Sequence, residues 1–181
     1  MDRLCKVADY EDIFPEFHGT PIGLLLEYHN LDRQFDSYTR AELLVGMCMD
    51  NRKFLRTPDN FAYVLRTGGG NLRYSEFKVS YAVGIGKVKA IALTAHNQCG
   101  MVNLYSKKAD FVTGLVENGG WEPERAEEHF DQFAPFYEIS NEIDFVLLEA
   151  QRMRARYPNI LVAPLFYQIE DNLLYQIQEN L

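Results

Sequence analysis

The chain has 181 residues, 47% of them hydrophobic, and a formal net charge of −8. This length suffices for a substantial core, so we expect one domain over residues 1–181, with 1–40 forming an N-terminal arm and helix. An acidic chain without a basic stripe is not expected to bind nucleic acid or an anionic membrane. No apolar run could span a bilayer, and the first residues lack a secretory pattern, which predicts a cytoplasmic protein.

Helices and strands are predicted to alternate in the first half of the chain. Residues 1–20 contain Pro15 and Gly19 and are predicted to form a loosely structured arm. Apolar residues at helical spacing predict an amphipathic helix over 22–36 with an apolar face that needs a partner. Further along, the patterns predict strands over 41–47, 61–65 and 89–95 and a helix over 73–85.

The second half is predicted to be mainly helical. The patterns predict helices over 109–117, 123–133 and 140–156, followed by strands over 159–169 and 173–177. Pro123 falls in a first turn, where proline is tolerated, and Ser140 is the expected cap of the last helix. Alternating strands and helices predict an α/β fold with a mainly parallel sheet flanked by helices.

Three residues with metal-ligand chemistry follow two of the predicted strands. Cys48 follows the strand over 41–47, and His96 and Cys99 follow the strand over 89–95. Two thiolates and an imidazole form a competent zinc set that leaves a fourth position for water. Because ligands collect outside the carboxyl ends of parallel strands, these residues are expected to share one ion. The alternatives are unrelated buried side chains, or a structural zinc with Asp50 as fourth ligand.

Asp50 and Arg52 lie two and four residues after Cys48 in the sequence. If the strand continues, residues 48, 50 and 52 project to one side of the sheet. A carboxylate beside a guanidinium has a lowered pKa and only accepts hydrogen bonds, so Asp50 could orient a nucleophile generated at the metal. The alternative is an ordinary surface ion pair, which contributes little.

Three cysteines do not make a disulfide framework. Two are assigned to metal, and Cys5 is expected to be a passive thiol. Thiolates that must stay free to bind metal suit a reducing compartment.

The spacing Cys48-x-Asp50-x-Arg52, followed by His96-x-x-Cys99-Gly, resembles the β-class carbonic anhydrases, and in particular their compact branch. The resemblance implies a β-carbonic anhydrase-like fold and one zinc ion per chain. It implies a zinc hydro-lyase that reversibly hydrates carbon dioxide to bicarbonate, with Asp50 and Arg52 as catalytic residues. It also implies a homodimer or tetramer in which subunits exchange amino-terminal segments.

The chain departs from the family pattern in three places. Asn51 stands where the family usually has Ser, Gln98 stands where it has Asp, and Arg66-Thr67-Gly68-Gly69 stands where it has Arg-Asn-Ala-Gly. Such changes alter the hydrogen bonds around a metal site and can tune it. Two alternatives therefore remain open, namely a carbonyl sulfide or carbon disulfide hydrolase on the same fold and a non-catalytic zinc-binding homologue.

Overall fold

The computed structural model describes residues 3–179, which build a six-stranded sheet flanked by helices. The strands are β1 (Leu4–Lys6), β2 (Leu43–Cys48), β3 (Ala62–Thr67), β4 (Ala90–His96), β5 (Leu161–Gln168) and β6 (Leu173–Ile177). Their order is β1-β6-β5-β4-β2-β3. The four strands from β5 to β3 run parallel, whereas β6 and β1 add antiparallel pairs at one edge. The predicted α/β fold with a mainly parallel sheet is confirmed.

Five α-helices join these strands. They are α1 (Pro21–Asn30), α2 (Glu76–Gly84), α3 (Lys108–Gly119), α4 (Pro123–Phe133) and α5 (Glu142–Arg156). The cap of α5 is Asn141 rather than Ser140, since the Asn141 side chain accepts a hydrogen bond of 2.8 Å from the backbone N–H of Asp144. Among residues 3–179, no helix combines the length and apolar character needed to cross a membrane.

The central strands β2 and β4 are buried along their whole length. One face of the sheet packs against α1, and the other packs against α2 and α5. A strand covered on both faces has a continuous apolar sequence. This explains why the bounds of β2 and β4 were predicted to within a residue or two. Packing over β2 is tight, because a Cβ added to Gly46 would lie 2.7 Å from Leu72 Cδ1.

The amino-terminal segment differs from its prediction. It is not a loose arm, because β1 pairs with β6 and the side chains of Val7, Ile13 and Phe17 are buried. These few apolar residues, spaced irregularly among polar ones, gave no periodic signal. The helix predicted over 22–36 ends at Asn30, and Asp32 then adopts a left-handed φ of 54° that no helix continues.

The apolar face of α1 is covered within its own chain. Ile22, Leu25 and Leu26 are fully buried, and they pack on the same face of the sheet as Val45 of β2. The expectation that this face needs a neighbouring subunit is therefore wrong, and the exchange of amino-terminal segments loses its sequence argument. The large exposed apolar side chains lie elsewhere, with Phe77 of α2 82% exposed.

Candidate metal centre

The three predicted metal ligands meet at the carboxyl ends of two neighbouring parallel strands. Cys48 is the last residue of β2, His96 is the last residue of β4, and Cys99 lies three residues beyond. Their ligand atoms all lie within 4.8 Å of one another, and all three residues are buried. The sheet thus brings together side chains that are 51 positions apart in the sequence (from 48 to 99).

The imidazole of His96 presents a free nitrogen to this cluster. Its Nδ1 lies 2.8 Å from the carbonyl oxygen of Asn97, so Nδ1 carries the proton and donates it. Its Nε2 is then an acceptor, yet it is buried and has no hydrogen-bond partner among residues 3–179. A buried acceptor without a donor is costly, and a metal ion at Nε2 would satisfy it.

In the metal-free site Cys48 is the more readily ionised of the two thiols. The neighbouring Cys99 thiol, which donates towards the Cys48 sulfur, holds the pKa of Cys48 far below its ordinary value. The pKa of Cys99 is raised, because its proton is held by the Cys48 sulfur. Thiolate sulfur binds zinc and a divalent cation would displace that last proton, so the donor set of two sulfurs and one imidazole nitrogen fits zinc.

Asp50 and Arg52 pair as predicted, but by a different geometry. β2 ends at Cys48, so the strand alternation expected for residues 48, 50 and 52 is wrong. A turn follows instead, in which the Arg52 backbone N–H donates to Asp50 Oδ1 at 2.9 Å. The Arg52 guanidinium also lies 2.7 Å from Asp50 Oδ2. These contacts hold the pKa of Asp50 well below its usual range, which leaves Asp50 an acceptor only.

Gln98 orients Arg52 from the other side of the centre. Arg52 Nη1 donates to Gln98 Oε1 and Arg52 Nη2 donates to the Gln98 carbonyl oxygen, both at 3.1 Å. Gln98 thus accepts hydrogen bonds from Arg52 at a position where the family usually has Asp. The sequence analysis flagged Gln98 as a difference but could not assign this contact.

Arg66 of β3 fixes the backbone of the same turn. It donates from Nη1 to the Asp50 carbonyl oxygen at 3.2 Å and from Nη2 to the Lys53 carbonyl oxygen at 3.0 Å. The sequence analysis gave Arg66 no role of its own. Its position at the end of a strand beside β2 was the available signal.

Glu170 and Glu142 support the centre from distant parts of the chain. Glu170 accepts hydrogen bonds of 2.7–2.8 Å from the side chains of Asn97 and Gln98. Glu142, the first residue of α5, accepts the backbone N–H of Cys99 at 3.2 Å. Neither glutamate stands in a recognisable motif, and only the fold brings them here.

The surroundings of the two cysteines are apolar. Ile139 is buried against Cys48 and Cys99, and Met101, Val102 and Phe145 pack around them. A cavity of about 460 Å³ adjoins this cluster; it includes Met49 and Met101 but none of the three ligand residues. Its other lining residues are Arg66, Thr67, Gly68, Leu104, Phe111, His129, Phe130, Phe133, Ala134 and Tyr137. The mainly apolar lining of this cavity suits a small uncharged molecule.

No family model matches the chain, and no curated protein matches it. Solved structures do match. A carbonic anhydrase from Glaciozyma antarctica is 16% identical, with a TM-score of 0.61 over 77% of this chain and 84% of that one. The β-carbonic anhydrase isoform I of Trichomonas vaginalis is 15% identical, with a TM-score of 0.62 over 81% and 89%. A carbon disulfide hydrolase in its apo form is 19% identical, with a TM-score of 0.57 over 78% and 80%. The chain therefore has the fold of the β-carbonic anhydrases.

Proposed function

We propose that the protein is a zinc enzyme that reversibly hydrates carbon dioxide to bicarbonate. One observation carries the proposal, namely the convergence of Cys48, His96 and Cys99 at a sheet edge beside the Asp50–Arg52 pair. The fold shared with carbonic anhydrases supports the same reaction class. A purely structural zinc site would normally take four protein ligands, and this set has three.

Each residue has a distinct task in this proposal. Cys48, His96 and Cys99 would hold the zinc, which would lower the pKa of a water so that a hydroxide nucleophile is available near neutral pH. Asp50 accepts a hydrogen bond from the attacking group and so directs its lone pair towards the carbon. Arg52 keeps Asp50 ionised and in place, while Gln98 holds Arg52.

Carbonyl sulfide or carbon disulfide is the second candidate substrate. The observation in its favour is the apolar cavity beside the centre, where Met49 and Met101 contribute polarizable side chains. The same residues would act in the same order on a linear electrophile that contains sulfur. A carbon disulfide hydrolase among the matching structures is consistent with this candidate.

We also propose that the chain associates with a second copy through β3 and α2. β3 is an edge strand, and Val64 on it is 46% exposed. Phe77 of α2 is 82% exposed, and Ile85, which follows the last residue of α2, is 68% exposed. Exposed apolar groups along an unpaired strand edge are typical of interfaces. Phe77→Glu should then lower the mass found by light scattering, whereas a wild-type protein that stays at 21.0 kDa would refute the association.

Stopped-flow assays on the zinc-loaded chain test the enzymatic proposal. We expect hydration of carbon dioxide above the buffer rate, and loss of most of it in Asp50→Asn with zinc retained. Sulfide release from carbonyl sulfide or carbon disulfide, without carbon dioxide hydration, would favour the second candidate. Zinc-loaded protein inactive on all three substrates would refute both and leave the non-catalytic zinc-binding homologue.

A further inference from the structure

Lys53 is a buried lysine without a partner. Its side chain is 3% exposed, and its Nζ makes no hydrogen bond within the part of the chain that the structure describes. Lysine is among the residues least often buried, and an unpaired ammonium loses its hydration without compensation. An ammonium in such a position either loses its proton or is paired by an anion from outside the described contacts.

The backbone at residues 53 and 54 is tied to the strands on both sides of the pair that carries Cys48 and His96. The Lys53 carbonyl oxygen is bonded to Arg66 of β3, whereas the Phe54 N–H donates to Tyr167 Oη of β5 at 3.4 Å. β2 and β4 lie between those two strands, and Tyr167 is aligned with His96 across the β4–β5 pair. Residues 53 and 54 therefore span the carboxyl ends of the two strands that carry Cys48 and His96.

The ammonium is close enough to the centre to respond to its charges. Burial lowers the pKa of Lys53, and the negative charges of Cys48, Asp50 and Cys99 oppose that effect. Lys53 in turn helps to hold the Cys48 sulfur ionised. The attraction is mutual, so the side chain and the two thiols share one electrostatic environment.

Charge balance then identifies what Lys53 lacks. Two thiolates cancel the charge of a bound divalent cation, and Asp50 and Arg52 cancel each other. Arg66 adds a positive charge to the same turn, and the carboxylates of Glu142 and Glu170 are already engaged by N–H donors of Cys99, Asn97 and Gln98. Lys53 Nζ has no such partner within residues 3–179, so an additional anion could pair it. A monovalent anion held beside the metal would complete the balance.

We propose that Lys53 is the anion-binding residue of this centre, which holds a small monovalent oxyanion or thio-anion, bicarbonate in the leading reaction, next to the metal. The inference rests on the proposed function for the identity of that anion. Its consequence is specific: this chain should bind simple anions tightly, and it should do so through Lys53 rather than through the metal alone.

Titration of the cobalt-loaded full-length chain with thiocyanate tests this inference without any turnover, because the visible spectrum of Co²⁺ reports on its surroundings. We expect Lys53→Met to raise the dissociation constant for thiocyanate at least tenfold. Lys87→Met is the matched control, since Lys87 is exposed, carries the same charge and precedes β4 at the opposite edge of the sheet. It should leave the constant unchanged. Equal affinity in wild type and Lys53→Met, or equal losses in both variants, would overturn the proposal.

A crystal structure of the wild-type zinc form soaked with thiocyanate decides the matter if Lys53→Met does not fold. Lys53 Nζ within hydrogen-bonding distance of the anion supports the inference. An anion bound without that contact, or no anion at the centre, overturns it. Lys53-dependent anion binding in a protein that does not hydrate carbon dioxide would refute the proposed function alone, whereas hydration with Lys53-independent anion binding would refute this inference alone.

Discussion

Buried polar groups in the body of the protein have hydrogen-bond partners, whereas several at the carboxyl edge of the sheet lack them within residues 3–179. Away from that edge, the buried side chains that carry a carboxylate or an amide have partners among the described residues. Glu149 is paired with Arg73 and Arg152, and Gln176 bonds the backbone of Phe14 and of residue 12. These contacts satisfy the buried polar groups, as expected for a core whose role is stability.

At the carboxyl edge, buried polar atoms lack partners. Within residues 3–179 the unpartnered buried side-chain atoms are Lys53 Nζ, Thr67 Oγ1, Thr94 Oγ1 and His96 Nε2. Thr67 and His96 end their strands, Thr94 is two residues from the end of β4, and the Lys53 carbonyl oxygen is bonded to Arg66 of β3. The interior therefore stabilises the fold, whereas this edge is where the proposed metal and small ligand would find unpartnered polar atoms.

Loss of a sulfur ligand should have the largest effect on the carboxyl edge, because it should remove the bound zinc. Cys99→Ser removes one of two thiolates, so zinc should fall from about one equivalent per chain to less than a tenth. Cys5→Ser is the matched control, because Cys5 lies on β1 outside the triad. Metal analysis after growth with ample zinc gives the answer. Full zinc in Cys99→Ser, or zinc lost equally from Cys5→Ser, would disprove the assigned ligand set.

A core substitution should reduce stability and leave the metal centre intact. Leu25→Ala in α1 should lower the free energy of unfolding by about 3 kcal/mol, because it opens a cavity beside the sheet. The control is Leu148→Ala on α5, where the side chain is 59% exposed and the change should be small. Urea denaturation of the metal-free forms measures both. A harmless Leu25→Ala would mean that α1 is not part of this core.

Asp50→Asn should lower turnover and spare zinc. The amide can donate where the carboxylate only accepts, so the rate of carbon dioxide hydration should fall about 100-fold. Asp59→Asn, at an exposed turn, is the control and should keep the wild-type rate. Paired zinc analysis and stopped-flow rates give the result. Wild-type turnover in Asp50→Asn would show that Asp50 does not orient the reaction.

The smallest predicted effect concerns His29 and pH. Burial lowers the pKa of His29, whose ring accepts the Arg56 N–H at 3.0 Å and bonds the Asn172 carbonyl oxygen at 2.9 Å. The unfolded chain therefore binds the proton more readily, so this stability is complete above pH 6.5 and is lost as the pH falls through the folded pKa.

Unfolding curves between about pH 7.5 and about pH 5.5 check this sign. His29→Gln should show a weaker loss of stability over that interval than wild type does. His18→Gln serves as the control and should follow the wild-type curve. A wild-type protein that gains stability as the pH falls from 6.5, relative to His29→Gln, would contradict the assignment.

Much of the fold could be predicted because its signals are local. β2 and β4 are continuous apolar runs, and α4 and β6 have the predicted bounds. The metal-ligand set of Cys48, His96 and Cys99 and the Asp50–Arg52 pair could also be predicted, because each residue lies within a few residues of a strand end. The amino-terminal segment was misjudged because Val7, Ile13 and Phe17 lack periodicity.

The rest of the site could not be predicted because it depends on tertiary contacts. Glu170 reaches Gln98 across 72 positions, and Arg66 reaches the Asp50 turn from the neighbouring strand. The burial of Lys53 follows from the path of residues 53 and 54 over the strand ends. Nothing in a short window around Lys53 distinguishes it from a surface lysine.

X-ray absorption at the zinc edge of the purified protein tests the central claim most directly. The account predicts a shell of two sulfurs at about 2.3 Å and two light atoms at about 2.0–2.1 Å, one of them a histidine nitrogen. Cys48→Ser should reduce the sulfur number or abolish the signal. A zinc ion with four sulfurs, with no sulfur, or with a shell unchanged by Cys48→Ser would contradict the claim that this sheet edge is the metal centre.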